Sequence, residues 1–289
     1  MPLPTAAQTN AASPIATRPA AAERPAVVTP LKRNAGIEIK GLVKRFETAT
    51  LYDGFDLTLP GEKITAVFGP NGCGKSTLIN MIAGILPYDG GSILIDGKPI
   101  KSTRVAYVFQ NYREAMFPWL RAVDNIRYPL KYQKLDPAEG ERRLGKLLAD
   151  FDVRFDINRY PYQLSGGQQQ LVSIMRALIV QPEVLFLDEP FSALDYELTL
   201  MMRDQLQRVI VEREITTLLV SHDLDEAIYL SDHLLMLTRQ PARIADFVAI
   251  DLPRPRRVAT LSDDGFVALK AHCLSVFERE VRRGGGGQL

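Results

Sequence analysis

Apolar and polar residues begin to alternate at Ile37-Glu38-Ile39-Lys40, and a period of two is the mark of a half-buried strand. A weaker alternating run covers Leu51 to Leu59. Ile64-Thr65-Ala66-Val67-Phe68 predicts a more continuous apolar strand. A loop rich in Gly, Pro and Asn follows, then a helix over Leu78 to Ala83 that Gly84 stops. Ser92-Ile93-Leu94-Ile95 predicts a strand running into the turn Asp96-Gly97, and Val105 to Phe109 predicts another. From Asn111 to Val180 the pattern turns helical and is broken at Pro118, Pro129, Pro137 and Pro161. Strand-like runs return at Val184 to Leu187 and Thr216 to Val220, with a helical stretch from Leu198 to Arg213 between them. Strands alternating with helices predict an α/β fold built on a parallel sheet.

These changes of pattern divide the chain. Residues 1–35, rich in Ala, Pro and Thr, lack the apolar periodicity needed to offset the entropy of ordering, so a disordered tail is expected. The tail is acid-poor and carries Arg18 and Arg24, as a transit peptide does, but it has no apolar core of a secretory signal. One ordered domain is expected over residues 36–250, with a helical subdomain over residues 112–180. Residues 251–289 form an extension that holds Arg254-Pro255-Arg256-Arg257, an amphipathic stretch from Phe266 to Val281 and a flexible tail, Gly284 to Gly287.

Composition narrows the function classes. Hydrophobic residues at 46% and charged residues at 24% are those of an ordinary globular protein. Lys and Arg number 35 against 34 for Asp and Glu, so the net charge of +1 supplies no field to draw in nucleic acid. No apolar run reaches the roughly 18 residues of a membrane span, so the chain is not expected to cross a membrane by itself. The two cysteines, Cys73 and Cys273, have no metal-ligand spacing and suggest no disulfide framework, which fits a reducing compartment.

Three segments carry chemistry. Gly69-Pro70-Asn71-Gly72-Cys73-Gly74-Lys75-Ser76-Thr77 fits the phosphate-binding loop pattern and lies between a predicted strand and a predicted helix. Its glycines let backbone N–H groups turn onto an anion, and the helix adds the positive end of its dipole. Lys75 is expected at the β and γ phosphates of ATP, Ser76 on Mg²⁺ and Thr77 near the α phosphate. Cys73 is either a reactive thiol at a helix start or a tolerated filler. Val184-Leu185-Phe186-Leu187-Asp188-Glu189 is an apolar strand ending in two acids. Asp188 is placed to hold Mg²⁺ through water and Glu189 to act as general base on the attacking water. Leu164-Ser165-Gly166-Gly167-Gln168 opens a helix whose apolar positions Leu171, Ile174, Met175 and Leu178 share one face. That helix start is either a second anion site or a simple cap.

The ordered set of these three segments with Ser192-Ala193-Leu194-Asp195 and Ser221-His222-Asp223 resembles the ATPase subunits of ABC transporters, over residues 36 to 250. The resemblance implies a P-loop NTPase fold, with a RecA-like parallel-sheet core, an antiparallel β subdomain and a helical subdomain. It implies two ATP molecules sandwiched between two head-to-tail subunits, so that Ser165, Gly166, Gly167 and Gln168 bind the nucleotide of the opposite subunit. Gln110 matches the glutamine that senses Mg²⁺ and water, His222 the switch histidine and Asp195 an aspartate at the dimer seam. Phe46 stands where the family stacks an aromatic ring on adenine, or is packed beneath the first strand. The implied partners are a second copy or a homologous ATPase subunit, membrane permease subunits and, indirectly, a solute-binding protein, with no nucleic acid. The implied location is the cytoplasmic face of the cell membrane.

Phe117-Pro118-Trp119-Leu120, Asp124-Asn125-Ile126 and Leu252-Pro253-Arg254-Pro255-Arg256 look like the nitrate, sulfonate, taurine and bicarbonate importer branch. In that branch the first of these segments lines the groove that receives a coupling helix of the permease. Trp119 is either such a contact or a core aromatic. Gln169-Gln170-Leu171-Val172 departs from the usual Arg-Gln-Arg-Val, and Met175 and Asn111 to Glu114 are also less usual. The ATPase of another importer or of an exporter, and a non-transport ABC protein, remain the alternatives.

Overall fold

The computed structural model describes residues 36–284 apart from Thr48, Ala193 and Asp195. The expectations for residues 1–35, for Asp195 and for the glycines beyond residue 284 lie outside the described residues. In chain order the strands are β1 (Ile37–Phe46), β2 (Ala49–Leu59), β3 (Ile64–Phe68), β4 (Gly90–Ile95), β5 (Val105–Val108), β6 (Val184–Asp188), β7 (Thr216–Val220), β8 (His233–Leu237) and β9 (Ile244–Ala249). The helices are α1 (Lys75–Ile82), α2 (Tyr112–Ala115), α3 (Ala122–Arg127), α4 (Pro137–Asp150), α5 (Gly166–Leu178), α6 (Tyr196–Glu212), α7 (Leu224–Leu230) and α8 (Asp264–Gly284).

Six strands form one sheet in the order β5-β6-β7-β3-β8-β9. The first five are parallel and β9 runs antiparallel to β8. Residues on these strands point alternately to two sides, and both sides are covered. On β6, Leu185 and Leu187 enter one core while Val184 and Phe186 enter the other; on β8, Leu234 and Met236 oppose Leu235 and Leu237 in the same way. The first core lies under the helices α3 to α8. The second lies between this sheet, α1 and a three-stranded antiparallel sheet in the order β2-β1-β4. Buried at both faces, the parallel strands read as continuous apolar runs rather than alternating ones.

Local chemistry sets the helix limits. Gly84 leaves α1 with φ 70°, a left-handed turn that ends the helix where the sequence predicts. Asp136 caps α4 by accepting from the Ala138 N–H, and Pro137 takes the first helical position, where no donor is needed. α8 buries Phe266, Cys273 and Val276 in the first core, and its Phe277 ring lies 5.3 Å from Phe68 at the end of β3. The amphipathic stretch thus packs on the strand that leads into the phosphate loop. β8, β9 and α7 had no counterpart in the sequence reading.

Candidate functional site

The loop Gly69–Gly74 leaves the C-terminal end of β3, a central strand of the large sheet, and enters α1. Gly74 precedes the helix at φ 105°, a conformation L side chains avoid, and a Cβ there would sit 2.9 Å from Cδ2 of Leu51. Three side chains pin the loop. Tyr52 of β2 donates to the Gly74 carbonyl (3.1 Å) and Gln240 to the Gly72 carbonyl (2.7 Å). Lys75 folds its Nζ onto the carbonyls of Gly69 (2.9 Å) and Pro70 (3.2 Å). The lysine charge is buried inside the loop, at the N-terminal end of α1, where an anion is favoured. Thr77 follows in the first turn of α1. Cys73 is buried, and burial pushes its thiol up against the weaker opposing pull of Lys75, which disfavours the thiolate.

Asp188 ends β6 beside this loop. Ser76 Oγ donates to its Oδ1 (3.0 Å) and the Tyr107 hydroxyl of β5 donates to Oδ2 (3.2 Å). Burial raises the Asp188 carboxyl above its ordinary value despite both hydrogen bonds and Lys75. A buried carboxylate short of positive charge, next to a serine hydroxyl, offers the hard oxygens that Mg²⁺ takes when its other ligands are phosphate and water. The residues present therefore fit that cation.

Glu189 follows with φ 47°, outside the usual range for a side-chain-bearing residue, and its N–H is held by the Val220 carbonyl of β7 (2.9 Å). This turn separates the two acids. The Glu189 Oε2 atom accepts from Gln110 Nε2 (2.8 Å) and lies 3.2 Å from His222 Nδ1. Gln110 follows β5 and His222 follows β7, the two strands flanking β6, so the parallel register alone gathers the three groups.

Ser165, Gly166, Gly167 and Gln168 form a separate feature. Ser165 Oγ accepts from the Gln168 N–H (3.3 Å) and Gln168 Oε1 accepts from the Ser165 N–H (3.0 Å), a reciprocal cap at the start of α5. A Cβ on Gly167 would fall 1.8 Å from Cδ2 of Leu198 on α6, so only glycine fits there. Gln169, in place of the family's arginine, donates to the carbonyls of Pro161 (2.9 Å) and Leu164 (3.0 Å) and steadies the approach to the cap.

Phe46 is 50% exposed with the Lys44 ammonium 5.3 Å from its ring centre, which removes the reading of a ring packed beneath the first strand. Trp119 is 71% exposed and is not a core aromatic. Its ring lies 5.6 Å from Phe117, which packs on Tyr128 (4.4 Å) and under Arg176 (5.7 Å). Buried Asn125 holds this loop, taking the Phe117 N–H and donating to the carbonyls of Phe117, Leu120 and Arg121. Sequence reasoning missed Tyr52, Tyr107 and Gln240, whose contacts exist only through tertiary pairing and carry no local pattern.

A family model described as ABC transporter matches residues 52–192. An uncharacterized ABC transporter ATP-binding protein of Methanocaldococcus jannaschii is 34% identical over 251 residues, covering 85% of this chain and 92% of its own length. An aliphatic sulfonates import ATP-binding protein of Corynebacterium glutamicum is 38% identical over 219 residues, covering 76% of this chain and 86% of its own length. Import ATP-binding proteins for Fe(3+) ions in Escherichia coli and for spermidine and putrescine in Nitrosomonas eutropha are also 38% identical. Each matches 70% of this chain, which spans only 59% and 56% of their respective lengths. Among solved structures, an ATP-binding cassette determined as a dimer in a post-hydrolysis state with ADP and Pi aligns with a TM-score of 0.65. It is 23% identical and covers 75% of this chain and 100% of its own, so the two share a fold.

Proposed function

We infer the function from one premise: the chain belongs to the ABC transporter family of ATP-binding proteins, and is an ATPase. Within that family it is the energising subunit of an importer and works as half of a two-site dimer. The observation that carries this reading is the convergence on Glu189. Its Oε2 is held by Gln110 (2.8 Å) and faced by His222 (3.2 Å), while neighbouring Asp188 is tied to Ser76 of the phosphate loop (3.0 Å). Glu189 accepts the proton of the attacking water as general base, and Gln110 and His222 keep its carboxylate aimed. Lys75, Ser76, Thr77 and the backbone N–H groups of the loop from Gly69 to Gly74, in which Pro70 has none, bind the phosphates, and Phe46 stacks on the base. Asp188 and Ser76, with Gln110, hold Mg²⁺, which when bound neutralises charge developing on the phosphates. The helix start at Ser165–Gln168 closes over the nucleotide of the opposite subunit, with Asp195 at the seam. Closing around ATP and opening after hydrolysis drives the attached permease between its two faces.

Full-length protein carrying Glu189→Gln is expected to bind ATP, to collect as an ATP-bound dimer on size exclusion and to lose turnover by at least about a hundredfold. Unchanged turnover would remove Glu189 from its role.

The partners follow from the same reading: a second copy or a homologous ATPase subunit, permease subunits at the cytoplasmic face of the membrane and, through them, a solute-binding protein. No helix among the described residues is long and apolar enough to cross a membrane. The exposed Trp119 beside half-buried Phe117 and Tyr128, flanked by Arg176 and Lys131, supports a groove for a permease helix. A small sulfonate- or nitrate-like anion is the proposed solute. Its support is the match across 86% of the length of a sulfonate relative against 59% and 56% of the iron and polyamine relatives. Stimulation of the permease-bound ATPase by a panel of anions, ferric ion and polyamines tests this, and a polyamine or ferric response overturns it.

A further inference from the structure

Tyr107 stands on β5 opposite Phe186 of β6 in parallel register. Asp188 lies two residues beyond Phe186 and therefore on the same face. The Tyr107 ring stacks on Phe109 (centroids 4.3 Å apart) and on Phe186 (5.9 Å), with interplanar angles of 29° and 30°. A ring stacked on two others has restricted freedom to turn, and its hydroxyl reaches Oδ2 of Asp188 at 3.2 Å. Oδ1 of the same carboxylate receives Ser76 Oγ at 3.0 Å. The two oxygens are thus divided between a donor on the sheet and a donor on the phosphate loop.

We propose that Tyr107 is a positioning residue for the cation site: its hydroxyl fixes the rotation of Asp188, so that Oδ1 and Ser76 face Mg²⁺ together. This rests on the reading of Asp188 as the Mg²⁺ carboxylate. Without the hydroxyl, Oδ2 loses its donor in a buried position and the carboxylate is free to turn. The aromatic stack that carries the hydroxyl survives replacement by phenylalanine.

The test uses the full chain with Glu189→Gln, so that nucleotide is not consumed, and follows a fluorescent ATP analogue while MgCl₂ is titrated. Tyr107→Phe is expected to raise the Mg²⁺ midpoint about tenfold and to leave analogue affinity in EDTA unchanged. Tyr107→Met, which fills the space without a hydroxyl, is expected to do the same. Added to Asp188→Asn, Tyr107→Phe is expected to change nothing further. A midpoint within about twofold of the parent in both single variants overturns the proposal, as does an equal further loss in the Asp188→Asn background. Should Asp188→Asn itself leave the midpoint in place, the Asp188 assignment falls and takes the Tyr107 proposal with it.

Discussion

Behind Ser221-His222-Asp223, the switch loop of the family resemblance, sits a carboxyl that the hydrolytic reading leaves unused. Glu226, buried on α7, accepts from Ser221 Oγ, the residue before His222, and that hydroxyl also accepts from the Asp223 N–H (3.0 Å). Burial pushes Glu226 up to about 7 from the ordinary 4.5, against the weaker pulls of Ser221, Arg203 and His222. Below pH 4.5 the folded and unfolded chains both carry this proton. Between 4.5 and about 7 the unfolded chain loses it while the folded chain keeps it, so stability falls as pH rises and levels off above 7. The whole effect amounts to about 3.5 kcal/mol at most, from about 1.4 kcal/mol per unit. Glu226→Gln retains an acceptor for Ser221 but has no proton to lose. Urea unfolding at pH 4 to 8 is therefore expected to show the variant gaining on the parent across that window. Parallel profiles for the two proteins would contradict the assignment.

At the scale of elements, the extension after β9 acts as a strap on α7. Arg256 is 2% exposed and has no carboxylate partner among the described residues; its guanidinium donates to the carbonyls of Ile228, Tyr229, Ser231, Ile250 and Leu252. These include carbonyls at the C-terminal end of α7, which attract a cation and have no partner within the helix. Arg254 adds an ion pair to Asp232 (2.8 Å). Arg256→Ala takes a donor from all five carbonyls, and of these Tyr229 keeps a second one in Gln207 Nε2 (3.0 Å). It is expected to cost about 3 kcal/mol or more in urea unfolding, and to loosen the helix that follows the switch loop. A loss under about 0.5 kcal/mol would show the strap to be decorative. None of this was legible in advance, because arginines in a Pro-Arg-Pro-Arg-Arg run read as solvated and their acceptors come from separate segments. The same limit hid β8: His233–Leu237 is an apolar run as clear as β7, but without a motif beside it nothing drew the eye. The strand, glycine loop and helix around Lys75, and the acids ending β6, were legible because local pattern and local chemistry coincide there. The meeting of Gln110, Glu189 and His222 was reached only through a family resemblance, since it depends on strand order that no window of sequence encodes.

For the whole molecule, the division of labour between Lys75 and Ser165 makes a prediction that one chain alone cannot satisfy. Ser165 and Gln168 bond to each other at the head of α5, while Lys75 is bound into its own loop at the head of α1. If each nucleotide lies between the loop of one copy and the α5 start of another, a variant lacking either feature is inactive as a pure protein. Lys75→Ala removes the cation from both loops, and Ser165→Arg places a bulky side chain at both helix starts. In a mixed dimer, however, the loop of the Ser165→Arg copy faces the intact helix start of the Lys75→Ala copy, and that site has every group it needs. Random exchange of equal amounts makes half the dimers mixed, each with one sound site in two, so about a quarter of parental ATPase activity is expected on mixing. Were the helix start to serve the nucleotide of its own chain, every chain in the mixture would stay defective. No recovery on mixing, with formation of the mixed dimer verified, would then discard the two-copy arrangement while leaving the roles of Asp188 and Glu189 intact.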